Sequence, residues 1–293
     1  MDLLMGDTPI ILSISFLFLS QIILRIAFIN IKVTTYDIEN YLSVHKPGIK
    51  LEQDKYSLIY LSSHKRINML SQTLNALFKQ KSAYCKKVYI YWNDFNKSIP
   101  APDISVYNIS NPTLPIEIID TGMRELVARF LIPRTLETQT LCNIDDDIFA
   151  TFTTLDKAFK EFYLRGLPLS VFGNYATLWR NGRYEWKQGN DFNIVLTGLS
   201  FINVDLFEVY NKFKYKPIRE YSAEKDNCED FIMNYVAYDH YGNRPIEYKI
   251  KHEYIQSYGL SQKPTHKAAR IECLKYLDNF FNFKDINKIK STL

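Results

Sequence analysis

A chain of 293 residues with 46% hydrophobic and 15% aromatic side chains can bury one sizeable core, so one catalytic domain with a short appendage is expected. Its 36 basic and 32 acidic side chains leave a net charge of +4, which gives no reason to expect a nucleic-acid partner. The four cysteines, Cys85, Cys142, Cys228 and Cys273, form no CxxC or Cys/His cluster of zinc spacing, and spacing does not choose among their possible pairings.

Residues 9–24 (PIILSISFLFLSQIIL) carry no charge, and at roughly 1.5 Å per residue the stretch 9–31 can cross a bilayer if Arg25 snorkels to the interface. It reads as a signal anchor, since a cleaved signal peptide would need a basic lead and a small-residue cleavage site that are missing. The expected organisation is therefore a tail and transmembrane helix over 1–32, a polar stem over 33–55 with Pro47-Gly48, and a globular domain over 56–293. The flanking charges, Asp2 and Asp7 before the span and Arg25 and Lys32 after it, favour a cytoplasmic domain. The sequons Asn96-Lys97-Ser98 and Asn108-Ile109-Ser110 point instead to the secretory lumen.

Residues 57–61 (SLIYL) read as a buried strand, and Ile67, Leu70, Leu74, Leu77 and Phe78 follow at helical spacing. Residues 88–92 form a second strand, so the chain opens as a parallel α/β sheet with right-handed crossovers. A third strand, 140–144, runs into Asp145, Asp146 and Asp147. Thr154 is then expected to cap a helix carrying Leu155, Ala158, Phe159 and Phe162, stopped by Gly166 and Pro168. The apolar run 193–203 contains Gly198, and 227–240 reads as a helix with Phe231, Ile232, Tyr235 and Val236 inside.

The triple aspartate falls just past the carboxyl end of a strand, where open α/β sheets bind ligands. Three adjacent carboxylates are costly unless a cation neutralises them, and hard oxygen donors suit Mg2+ or Mn2+ with positions left for diphosphate oxygens. A solvated acidic turn capping the next helix is the plain alternative.

In order and spacing, the blocks SLIYLSSHKRINML, VYIYWND, MRELVARFLIPRTLETQTLCNIDDDI, NIVLTGLSFIN, DNCEDFIMNYVA and HKAARIECLKYL resemble the exostosin-type domain of glycosyltransferase family 64, over 56–281. The resemblance is to the short, single-domain members. It implies an α/β fold of the GT-A nucleotide-diphospho-sugar transferase type with a mostly parallel central sheet. It also implies a Mn2+ ion (or Mg2+), UDP-GlcNAc or UDP-GalNAc as donor, and transfer to a glycan or glycolipid acceptor with retention at the anomeric carbon.

Carried over by position, Asp147 and Asp145 are the expected metal ligands, and Asp145 and Asp146 are expected to hold the ribose and the metal's water shell. Arg129 falls where the family contacts the donor; read by itself it is a surface residue. Asp230 takes the place of the catalytic carboxylate, where it would stabilise an oxocarbenium-like transition state, and Glu229 stands beside it where the family more often has Asp. Without the resemblance the pair would merely complement a helix dipole. Arg270 matches an arginine near the diphosphate, and Cys228 and Cys273 match a disulfide pair, which would place the domain in the lumen of the Golgi or endoplasmic reticulum as a single-pass type II protein. Cys85 and Cys142 read as small buried residues. Arg124 and the loop from Ser62 to Arg66 depart from the family's pattern near the nucleotide. The rival readings are an inverting transferase with Asp230 as general base, a transferase using another nucleotide-sugar, and a silent sugar-binding relative.

Overall fold

The computed structural model of the protein describes residues 50–94, 99–121, 125–187, 189–255 and 264–282. The expected membrane anchor, most of the stem, the Asn96 sequon and Arg124 lie outside the described residues. Among the described residues no helix is long and apolar enough to cross a membrane.

One central sheet organises the domain. Strands β1 (Glu52–Ser62), β2 (Cys85–Trp92), β3 (Ile116–Asp120) and β4 (Thr138–Asp145) run parallel in the order β3-β2-β1-β4. Helix α1 (Ile67–Leu77) makes the first crossover and buries Leu70, Leu74 and Leu77. In β1 the run from Tyr56 to Tyr60 is buried without alternation, as a central parallel strand covered on both faces must be. This strand starts at Glu52, inside the stretch read as stem from its polarity, because its first residues form the ragged outer end of the sheet.

Beyond β4 the sheet turns antiparallel through β8 (Ile194–Asn203), β6 (Phe172–Arg180) and β7 (Arg183–Trp186), with β9 (Ile246–Glu247) parallel to β6. The sheet is thus mixed: its β3-β2-β1-β4 half is parallel and its other half antiparallel apart from β9. A short second sheet pairs β5 (Ile148–Phe149) with β10 (Glu253–Tyr254). The β6–β7 hairpin turns on Asn181-Gly182 at φ +52° and +73°, and two positive φ values in a two-residue loop match the right-handed twist of the strands.

Helix α2 (Phe152–Leu164) packs Phe159 and Phe162 against Tyr56, Phe172 and Phe201 of the sheet. Its cap is Thr151, whose side chain accepts from the Thr154 amide. The cap expected at Thr154 is therefore three residues too late, since Phe152 is buried and joins the helical face. Gly166, at φ +77°, closes the helix end as expected.

Four further α-helices lie among the described residues, α3 (Val204–Tyr210), α4 (Lys216–Lys225), α5 (Glu229–Tyr241) and α6 (His266–Phe281). Every residue of α5 from Glu229 to Ala237 is buried, so this helix is central rather than amphipathic. Its Asn234 pairs with both backbone groups of Val195 in β8, at 3.0 and 2.9 Å. One turn earlier, Asp230 takes the amide of Thr197 at 2.9 Å. Four helical residues and two strand residues both advance about 6 to 7 Å, which lets helix and strand stay in register.

Candidate active site

A cavity of about 710 Å³ opens where β4 ends. Asp145 and Asp147 line one side, Asp230 and Arg270 another, and Tyr175 and Trp186 extend it toward the sheet edge.

Asp145 is the last residue of β4, and its Oδ1 accepts from Arg129 Nη1 at 3.0 Å. Arg129 lies in a short 3-10 turn, Leu126–Phe130, and is only 9% exposed, so the surface reading of this arginine does not hold. Burial opposes its charge, but Asp145, Glu229 and Asp230 outweigh that and hold its pKa above the usual value. Asp145 itself is pushed up by burial, against the pull of Arg129 and with the negative charges of Asp230 and Asp147 adding to the shift. Room for its carboxylate comes from Gly198 on β8, where a Cβ would overlap Asp145 Oδ2.

Asp146 takes a different direction from its neighbours. It is 5% exposed, does not line the cavity, and is gripped by Arg66, whose Nη2 lies 2.7 Å from Oδ1 and whose Nε reaches both oxygens at 3.1 Å. Burial pushes its carboxyl up to about 6 despite that grip. Its backbone carbonyl accepts from Thr73 Oγ1 of α1 at 3.2 Å. Asp147 faces the cavity, with Arg66 Nη2 3.4 Å from its Oδ2.

At the other side Asp230 is fully engaged. Oδ1 accepts the Thr197 amide and the Thr197 hydroxyl, and Oδ2 lies 3.1 Å from Arg270 Nη2. Burial opposes its ionisation, but Arg270, then Arg129, and the bonds from Thr197 hold the carboxyl below its ordinary value. Arg270, on the second turn of α6, also donates from Nη1 to the Tyr184 hydroxyl at 2.6 Å and stacks over Phe231 with its guanidinium carbon 5.0 Å from the ring centre. Glu229 behaves oppositely. Buried beside an anionic Asp230, its carboxyl is pushed up to about 7, and it does not line the cavity.

The two helices bearing this pair are joined covalently. Cys228, at φ +85° before α5, forms a disulfide with Cys273 of α6, and Cys85 and Cys142 are buried free thiols. The sequon asparagine Asn108 is exposed in a left-handed turn. In the departing loop at the end of β1, the backbone amide and Nδ1 of His64 both reach Asp94 Oδ2, at 2.8 and 2.5 Å.

The domain model of glycosyl transferase family 64 matches residues 56–292. The chain belongs to this family. Its curated relatives include exostosin-1 of Pongo abelii, 24% identical over 216 residues, covering 69% of this chain and 28% of the relative. Glucosamine inositolphosphorylceramide transferase 1 of Oryza sativa subsp. indica is 28% identical over 235 residues, covering 72% and 30%. The chain thus spans less than a third of the length of these family relatives. A solved structure, residues 1–349 of S. aureus TarS in complex with UDP-GlcNAc, aligns with a TM-score of 0.48 at 11% identity, over 77% of this chain and 66% of that one.

The expected site residues Asp145, Asp147, Asp230 and Arg270 meet around one cavity, while Arg129 and Glu229 stand behind it and Asp146 is drawn away by Arg66. Sequence reasoning assigned no role to Arg66, Gly198, Thr197 or Tyr184. Arg66 stands in the loop that departs from the family's pattern, and its reach to Asp146 follows from β1 lying beside β4 in the sheet. The part played by Gly198 depends on cross-strand register and left no signal.

Proposed function

We propose that the domain is a metal-dependent, retaining glycosyltransferase of GT-A type that moves GlcNAc or GalNAc from a UDP-sugar to a glycan acceptor. The observation that carries this reading is Asp230, a buried carboxylate held ionised at the wall of a cavity whose other wall presents Asp145 and Asp147. A carboxylate with one oxygen on Thr197 and the other on Arg270, and with its pKa depressed, is a poor proton acceptor, which favours electrostatic stabilisation of a cationic anomeric centre over the general-base role of an inverting enzyme.

Two carboxylates facing a cavity fit a hard divalent ion that completes its shell with water and phosphate oxygens, and Asp145 and Asp147 would hold it. Bound there, the ion would supply positive charge to the diphosphate. Arg129 sets the orientation of Asp145, Arg66 spans Asp146 and Asp147, and Arg270 stands ready to receive negative charge on the departing UDP. The disulfide supports a lumenal, type II placement in the Golgi or endoplasmic reticulum and outweighs the charges that flank the expected signal anchor. The name of the rice relative favours a glycolipid head group as the second acceptor reading.

The test is hydrolysis of a panel of UDP- and GDP-sugars with Mn2+ and with EDTA, the anomeric configuration of the first-formed product being followed by NMR. Metal-dependent consumption of UDP-GlcNAc or UDP-GalNAc with retention is expected. Inversion would return Asp230 to a general-base role, and no turnover of any donor would favour a silent sugar-binding domain.

A further inference from the structure

We propose that Asn108 is an N-glycosylation site, a surface modification separate from the transferase cavity that rests only on the lumenal placement of the domain.

The sequon Asn108-Ile109-Ser110 follows a short 3-10 turn, Ile104–Tyr107, on the crossover from β2 to β3. Asp103 caps that turn, its side chain accepting the Ser105 amide at 2.9 Å. Burial then alternates along the sequon. Tyr107 is fully buried and Ile109 packs against the core, while Asn108 and Ser110 are exposed. Both side chains that the modification needs therefore face solvent, and their neighbours hold the backbone down.

Helix α1 fixes this arrangement through backbone groups alone. Asn75 donates to the Asn108 carbonyl at 3.2 Å and accepts the Ser110 amide at 2.8 Å, and the Ser71 hydroxyl donates to the Tyr107 carbonyl. Among the described residues nothing bonds the Asn108 side-chain amide or the Ser110 hydroxyl. At φ +46° Asn108 is left-handed, a conformation that asparagine adopts with little strain.

Two further observations suit a glycan at this point. Ile104 and Val106, on the same turn, are 36% and 39% exposed, and a bulky sugar rooted at Asn108 would shield them. The turn is also clear of the cavity, whose lining residues all lie between Asp145 and Arg270, and it leads into β3, at the opposite edge of the sheet from β7. A glycan there leaves the donor site open. The Cys228–Cys273 bond belongs to the same oxidising compartment in which sequons are read.

The co-reactant is an oligosaccharide carried on a polyprenyl diphosphate. A bond forms from Asn108 Nδ2 to the anomeric carbon of the first sugar, and that carbon's bond to the diphosphate oxygen breaks. The departing diphosphate keeps the electron pair, one amide proton is released, and no atom is oxidised or reduced.

The test expresses the full chain in cultured mammalian cells and digests it with peptide N-glycosidase F in heavy-oxygen water. Digestion should shift the band by one glycan, and peptide mass spectrometry should find the heavy-oxygen label at residue 108. N108Q and S110A should each lose that shift and S110T should keep it. S110A leaves the left-handed asparagine in place, so it separates loss of the glycan from strain in the turn. UDP affinity should be unchanged in these variants, because neither position touches the cavity. A label at residue 96 and none at 108, or a shift that survives in N108Q and S110A, overturns the assignment, as does a native chain that digestion leaves unshifted. Protease treatment of intact microsomes then separates the causes: a protected domain fails the site alone, and a digested one fails the lumenal placement with it.

Discussion

Asp230 Oδ2 and Arg270 Nη2 lie 3.1 Å apart on two helices that a disulfide joins, Cys228 preceding Asp230 by two residues and Cys273 following Arg270 by three. The pair is thus held by charge and by covalent structure at once. A buried ion pair adds little net stability by itself, but breaking it leaves an isolated charge at large cost. Both groups line the cavity, where the proposed transfer would use their charges.

Replacing Asp230 with Asn keeps the shape and the Thr197 contact but removes the charge that a cationic anomeric centre would feel. Turnover should drop by roughly 10²-fold or more, with a much smaller change in UDP-sugar affinity, as read from kcat and from calorimetric Kd. Loss of affinity and rate in equal measure would make Asp230 a donor-positioning group, and normal turnover would leave it only a helix-dipole role.

Gly198→Ala puts a methyl group where the Asp145 carboxylate lies, so Asp145 must move off Arg129. The fold should survive, while the Mn2+-dependent part of UDP affinity should fall about 10-fold. In a double-mutant cycle the alanine should cost little more once Asp145 is already Asn. Full additivity would mean that Gly198 acts elsewhere.

The Cys228–Cys273 bond closes a loop with a sequence separation of 45, for which chain entropy predicts about 4 kcal/mol of stabilisation. Substituting both cysteines with Ser should lower the unfolding free energy extrapolated from urea by that much and shift the midpoint down accordingly, and reductant should do the same to the native protein. Equal midpoints with and without reductant would show that the bond contributes nothing.

Glu229 supplies the pH test. Burial and then Asp230 disfavour its anion and push the native carboxyl up to about 7, whereas an unfolded glutamate has a pKa of about 4.3. Between those values the native state holds more protons than the unfolded one, so this group's contribution falls as pH rises. Asp230 has a depressed pKa, and its contribution is lost only on acidification below the ordinary carboxylate range. Melting temperatures of Glu229→Gln should therefore decline less than the native protein's between pH 5 and 7. Parallel curves would mean that Glu229 is ionised throughout.

Local pattern was enough for part of the fold. The unbroken apolar run in β1, the helical spacing from Ile67 to Leu77 and the placement of the aspartates at the end of β4 follow from side-chain period alone, which any 10-residue window carries. The resemblance then named Asp145, Asp147, Asp230 and Arg270 as one constellation. Tertiary structure decided how neighbours in sequence part company. Asp146 differs from Asp145 and Asp147 because Arg66, eighty residues away, takes it out of the cavity. Glu229 and Asp230 have opposite protonation preferences because the first turn of α5 aims one at Thr197 and Arg270 and buries the other. Ionisation and direction depend on what the folded chain brings within a few ångströms, and no local window of sequence holds that distance.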